Sequence, residues 1–184
     1  MRHAARYAFA LAAALSAGPL SAQALSTPST GPIIADFGPV YRTDPLDLPT
    51  PTDHVFRVAF DVATSPEDAG ALNPAIASLA RFLNMHGAAG VPRENLHLAL
   101  VLHGTAAKAV LTEESYRKRF GAENTNLPLL QALRAAGVRI IVCGQTAQAR
   151  GLPRAEFAPG IELALSAMTA HALLQEQGYT LNPF

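Results

Sequence analysis

Leu96-His97-Leu98-Ala99-Leu100-Val101-Leu102-His103-Gly104 is apolar at nearly every position, then stops at a histidine and a glycine. A strand with one wet face alternates apolar and polar residues. A run that is apolar on both parities suits a strand covered on both faces, as in a parallel sheet. The same grammar recurs downstream, where Val138-Arg139-Ile140-Ile141-Val142 runs directly into Cys143-Gly144. Upstream, His54–Val62 is rich in β-branched and aromatic residues and reads as a further strand. The segments between have helical character. Asn73-Pro74 is an N-cap followed by a first helical residue, and Ile76, Leu79, Ala80 and Leu83 recur at helical spacing until Gly87 and Gly90.

Working outward, two helical stretches are expected at 106–120 and 128–136, the second ending at Gly137. A Gly- and Pro-punctuated loop follows Cys143-Gly144. Ile161–Leu165 reads as a fourth strand, 167–177 as a last helix, and Tyr179–Phe184 as a short edge strand. Strict alternation of strand and helix implies right-handed crossovers and a mostly parallel α/β sheet with helices on both faces.

The ends of the chain differ from this core. Arg2 and Arg6 precede the apolar run Tyr7–Gly18, and Ser21-Ala22-Gln23-Ala24 supplies a small-x-small cleavage pattern. Residues 1–24 therefore read as a signal peptide, since the run is far short of the ~20 residues of a spanning helix. The expected product is periplasmic or secreted, with no membrane insertion after cleavage. Residues 25–53 carry Pro28, Pro32, Pro39, Pro45, Pro49 and Pro51, a spacing that forbids a helix and favours an extended arm. The apolar Ile33-Ile34 and Phe37–Tyr41 within it predict that the arm lies along the domain surface or a neighbouring subunit. Residues 54–184 form the α/β domain.

Composition narrows the function. Of 184 residues 49% are hydrophobic and 15% charged, with 14 basic against 14 acidic side chains. Without Arg2 and Arg6 the balance is 12 − 14 = −2, which offers no basic surface for nucleic acid. One cysteine excludes an internal disulfide framework and a multi-thiolate zinc site. There is no P-loop, no dinucleotide-binding glycine pattern after the first strand, no H-E-x-x-H and no C-x-x-C.

Ligands of open parallel sheets gather beyond the carboxyl ends of the strands, where Asp61, His103-Gly104, Cys143-Gly144 and Ser166 fall. Cys143 is the sharpest candidate, read either as a reactive thiol at the rim or as a small buried apolar residue. His103 is read either as a proton donor or hydrogen-bond partner for chemistry at Cys143, or as a ligand of its own loop. Gly104, Gly144, Gln145 and Ser166 are candidates to line the same site. Ser166 is not expected to be a hydrolase nucleophile, because Leu165-Ser166-Ala167 lacks the glycines of a nucleophile elbow. Asn84 and His86 are expected to cap their helix or face solvent, and Asp61, Glu67 and Asp68 to be turn or helix-start residues. His97 is read as packed or facing a neighbour, and His171 as structural.

Several segments in order resemble the DsrE/DsrF-like (YchN-like) family, in its exported single-domain branch. They are Phe82-Leu83-Asn84-Met85-His86 before Gly90-Val91, Leu100-Val101-Leu102-His103-Gly104, and Asn124-Thr125-Asn126-Leu127. Ala136-Gly137-Val138-Arg139-Ile140-Ile141-Val142-Cys143-Gly144-Gln145 follows, then Leu165-Ser166-Ala167-Met168-Thr169 before Leu174–Tyr179. The resemblance implies a three-layer α/β/α sandwich with about five strands, assembly into homo-oligomers (trimers or hexamers), and a place in sulfur metabolism. It also implies a persulfide on the cysteine matched by Cys143, exchanged with donor and acceptor thiol proteins. Such chemistry needs one nucleophilic thiol and no cofactor. The alternatives are a non-catalytic exported binding or assembly module with a structural cysteine, and redox sensing at Cys143.

Overall fold

A computed structural model of the chain describes residues 27–182. The signal peptide read at 1–24 lies outside those residues. The five strands are β1 (Phe56–Val62), β2 (Leu96–Leu102), β3 (Arg139–Cys143), β4 (Glu162–Ala164) and β5 (Thr180–Asn182). They form one sheet in the order β4-β3-β2-β1-β5, parallel at every pairing. Five helices alternate with them: α1 (Pro74–Ala88), α2 (Glu113–Phe120), α3 (Asn126–Ala135), α4 (Gly144–Ala149) and α5 (Ala167–Glu176).

Strand parity divides the core into two unequal parts. Val58, Phe60, Val62, Leu98, Leu100, Leu102, Ile140 and Val142 pack with Leu79, Leu83, Leu129 and Leu133 of α1 and α3. The opposite face carries Ala59, Ala99, Val101 and Ile141, which share a smaller core with Ala170 and Leu174 of α5. Two alanines in the centre of that face leave room for one helix to settle closely, so the sheet is enclosed in a three-layer α/β/α sandwich.

β2 runs over the residues expected of it, because the central strand is the one covered on both faces. The expected helix at 106–120 is in fact a 3-10 segment, Gly104–Val110, followed by α2. Thr112 starts α2 afresh by accepting the Ser115 N–H on its side chain. The loop expected after Cys143 contains α4, for which the sulfur itself is the cap.

The proline-rich arm lies on α1. Ile34 and Val40 are buried, and Ser29 and Val40 form an antiparallel bridge that closes the arm on itself. Its anchor is Asn84, which neither caps α1 nor faces solvent. The residue is 0% exposed and its side chain bonds the arm's backbone. A buried amide must find partners, and here an extended segment with no ladder of its own supplies them. Among the described residues no helix is long and apolar enough to cross a membrane.

Candidate functional site

Cys143 is the last residue of β3 and the N-cap of α4. Its Sγ accepts the Thr146 N–H at 3.4 Å. Burial of the sulfur pushes the thiol up. The Thr146 side chain and the N–H groups of Thr146, Ala167 and Gln145 outweigh it, so the thiol lies below its ordinary value. Those donors stabilise the charged form, which is the nucleophilic one. The residue is only 5% exposed. It lies under the rim, beside the turn that carries exposed Leu165 and Met168, with polar donors on several sides.

The neighbouring glycines are present for steric reasons. A Cβ on Gly144 would stand 2.6 Å from the Ala164 carbonyl and 3.2 Å from that of Leu165. Only glycine lets the end of β3 lie that close to β4. Gly104 has φ +52°, and a Cβ there would run into the Ala63 carbonyl. The Gly104 N–H reaches Thr146 Oγ1 at 3.4 Å. Thr146 thus touches both the sulfur and the loop after β2. Sequence reasoning missed it, although a residue three beyond a capping side chain is where the capped N–H belongs.

Gln145 is exposed, and its Nε2 donates to the Leu165 carbonyl at 3.4 Å. Ser166 is buried and caps α5, its Oγ accepting the Thr169 N–H at 3.0 Å and lying 2.9 Å from Thr169 Oγ1. Its role is to hold the start of α5, whose first N–H, from Ala167, acts on Cys143.

His103 is turned toward β1. Its Nε2 lies 3.1 Å from both carboxylate oxygens of Asp61. His171 of α5 brings its own Nε2 to Asp61 Oδ1 at 2.8 Å. Asp61 is therefore not a turn residue but a half-buried anchor between two imidazoles. Burial pushes its carboxyl up, and the bonds from His171 and His103 more than offset this, leaving it below the usual carboxylate range. The available signal was an acid near the end of a strand that is apolar but for Arg57. Both imidazole Nε2 atoms face the carboxylate, and among the described residues no group of three or more His, Cys, Asp or Glu is arranged to hold a metal ion.

A hollow of about 720 Å³ lies elsewhere, between the arm (Pro32–Asp36), Arg93 and the end of α3. It does not reach Cys143.

A family model described as the DsrE/DsrF-like family matches residues 57–183. No curated protein matches the chain. A solved structure of a protein of unknown function from Methanobacterium thermoautotrophicum aligns with a TM-score of 0.51 at 18% identity, covering 70% of this chain and 99% of that one. Likeness at that identity speaks for the fold.

Proposed function

Since the chain belongs to the DsrE/DsrF-like family, we propose that it is a sulfur-relay protein, sulfurtransferase-like in chemistry, that carries sulfane sulfur on Cys143. The observation that supports this most is the setting of that sulfur: one thiol at a strand end, receiving the Thr146 N–H and held below its ordinary pKa by the Thr146 side chain and surrounding N–H groups. Transfer balances without a cofactor. The Cys143 thiolate attacks the terminal sulfur of a donor R–S–SH, the donor S–S bond breaks, and R–S⁻ leaves, giving Cys143–S–SH. An acceptor thiolate repeats the exchange and regenerates the Cys143 thiolate. His103 takes and returns the thiol proton, and Gly104, Gly144 and Gln145 shape the entrance. Donor and acceptor are thiol proteins met after export to the periplasm or medium.

The test is intact-mass measurement after incubation with polysulfide. The expected result is a gain of one sulfur atom that is reversed by a reductant and lost in Cys143→Ser. No such adduct on the native protein removes the reading.

A second reading is favoured by a separate observation. Leu163, Leu165, Met168 and Leu173 leave apolar side chains exposed around β4 and α5, with Met168 at 81%. On this reading the domain is an assembly module that forms homo-oligomers, trimers or hexamers, and Cys143 packs without reacting. Slow native alkylation that becomes fast only on denaturation would select it.

A further inference from the structure

The His103–Asp61–His171 cluster draws on two strands and the helix that crosses them, and the proposed transfer step uses only His103. The strand register ties it to the sulfur. Leu102 pairs with Val142, and His103 and Cys143 are the residues that follow them on these neighbouring parallel strands. Both turn toward α5, Cys143 to the N–H of Ala167 and His103 to the carboxylate that His171 also holds. Asp61, in register with Val101, thus stands two residues before His103, and Asp61, His103 and Cys143 form a slanted row near the carboxyl ends of β1, β2 and β3.

Within that row the hydrogen bonds constrain the proton. An ionised carboxylate only accepts, so the nitrogen of His103 that faces Asp61 carries hydrogen, and in the neutral ring Nδ1 is then the lone pair. His171 is committed differently. Among the described residues its Nδ1 is buried without a partner, so its one polar contact there is to Asp61, which it holds from the α5 side. The His103 side chain is 30% exposed and that of His171 is 15% exposed. His103 is thus the more open of the two imidazoles.

We propose that Asp61 and His171 are positioning residues that hold His103 as proton acceptor and counter-charge for the Cys143 thiol. This deepens, and rests on, the reading of Cys143 as the sulfur-carrying thiol. In the step, the Cys143 S–H bond breaks and an N–H bond forms at His103 Nδ1. No electrons are exchanged with any other group. The imidazolium then lies against the Asp61 carboxylate and the thiolate against the N–H groups of Thr146, Gln145 and Ala167. Other charges on the packed elements are engaged away from the row. Glu162 of β4 pairs with Arg139 of β3, and Lys108 lies over the rings of Tyr116 and Phe120. Glu176 sits at the far end of α5, and α4 holds no titratable side chain.

The sign of one substitution tests this. If Asp61 were only a nearby negative charge, Asp61→Asn would favour the thiolate and lower the pH at which Cys143 ionises. If it secures a cationic His103, the same change raises that pH. The measurement is the rate of iodoacetamide alkylation of the full folded chain against pH, with Asp61→Asn, His103→Gln, the double variant and His171→Gln. Asp61→Asn is expected to move the inflection upward, and labelling below it slows about tenfold for each pH unit that it moves. In the His103→Gln background the same change must move it down or leave it. His171→Gln is expected to raise it by less, and it carries the test should Asp61→Asn not fold. A lowered or unmoved inflection in the otherwise wild-type chain overturns the proposal, as does a native thiol that labels at no pH. Alkylation needs no sulfur donor, so a missing polysulfide adduct alongside a raised inflection would sink the sulfur-carrier reading alone.

Discussion

The side-chain amide of Asn84 pairs with both backbone groups of Ile34: Oδ1 accepts the Ile34 N–H at 2.8 Å and Nδ2 donates to the Ile34 carbonyl at 3.0 Å. The same oxygen takes the Ile33 N–H at 3.2 Å, and the same nitrogen reaches the carbonyls of Phe37 at 2.9 Å and Gly38 at 3.0 Å. One side chain stands in for a neighbouring strand. Gly38 completes the join, since a Cβ there would collide with the backbone of Ala80 and Arg81.

Asn84→Ala is therefore expected to free the arm. It strips partners from buried backbone groups, at roughly 1–3 kcal/mol for each group left unsatisfied, until the arm detaches and water replaces the lost bonds. Limited proteolysis should then cut within 27–53 while the sheet domain stays folded. Equal resistance of the variant and the native chain would count against the anchoring role.

Thr146→Val is expected to slow Cys143 chemistry with little loss of fold. The Thr146 side chain is the foremost of the groups that lower the Cys143 thiol. Removing its hydroxyl should reduce the thiolate fraction at neutral pH and slow alkylation there. Alkylation rate at fixed pH reads this directly, with a thermal melt as the control.

Acid should weaken the fold through its partly buried histidines. His86 stacks on Phe82 with ring centroids 3.8 Å apart, and burial pushes its pKa down despite the bond from Nδ1 to the Phe82 carbonyl. His97 is also lowered, by burial and by Arg57 and Arg93. A histidine depressed in the folded state binds fewer protons there than in the unfolded chain. Its contribution is whole above the unfolded value of about 6.5 and is lost as the pH falls from there through the folded value. Urea midpoints should decline across that window, and less steeply in His86→Phe.

Gly144→Ala should open the β3–β4 edge. The added methyl would meet the Ala164 and Leu165 carbonyls, so β4 must move or the turn must strain, at about 1–3 kcal/mol. Hydrogen exchange should speed up at Glu162–Ala164 before it does in β2. Unchanged protection there would mean that the close approach is not needed.

The elements that were legible in the sequence are those whose chemistry is local. Leu96–Leu102 announces a strand covered on both faces, and Asn73-Pro74 announces the start of α1, whose cap bond runs from the Ala75 N–H to Asn73 Oδ1 at 3.0 Å. Cys143-Gly144 was read at a strand end, and Cys143 does close β3. α4 was not legible, because its sequence Gly-Gln-Thr-Ala-Gln-Ala has no apolar stripe and depends on a sulfur cap. Ser166 was placed at the site by its strand-end position, yet its hydroxyl is spent on the start of α5.

By itself, then, the sequence determined the parallel α/β sheet, a strand covered on both faces, the family and the thiol on which any sulfur chemistry would depend. Periodicity and caps report the surroundings of a residue through its immediate neighbours, and that was enough for these. The tertiary structure alone decided that Asp61 meets His171, 110 residues away, and that Asn84 receives the arm. No local spacing encodes such pairs, because they exist only after crossovers have stacked β1, β2 and α5 and enclosed polar groups that had to find partners there.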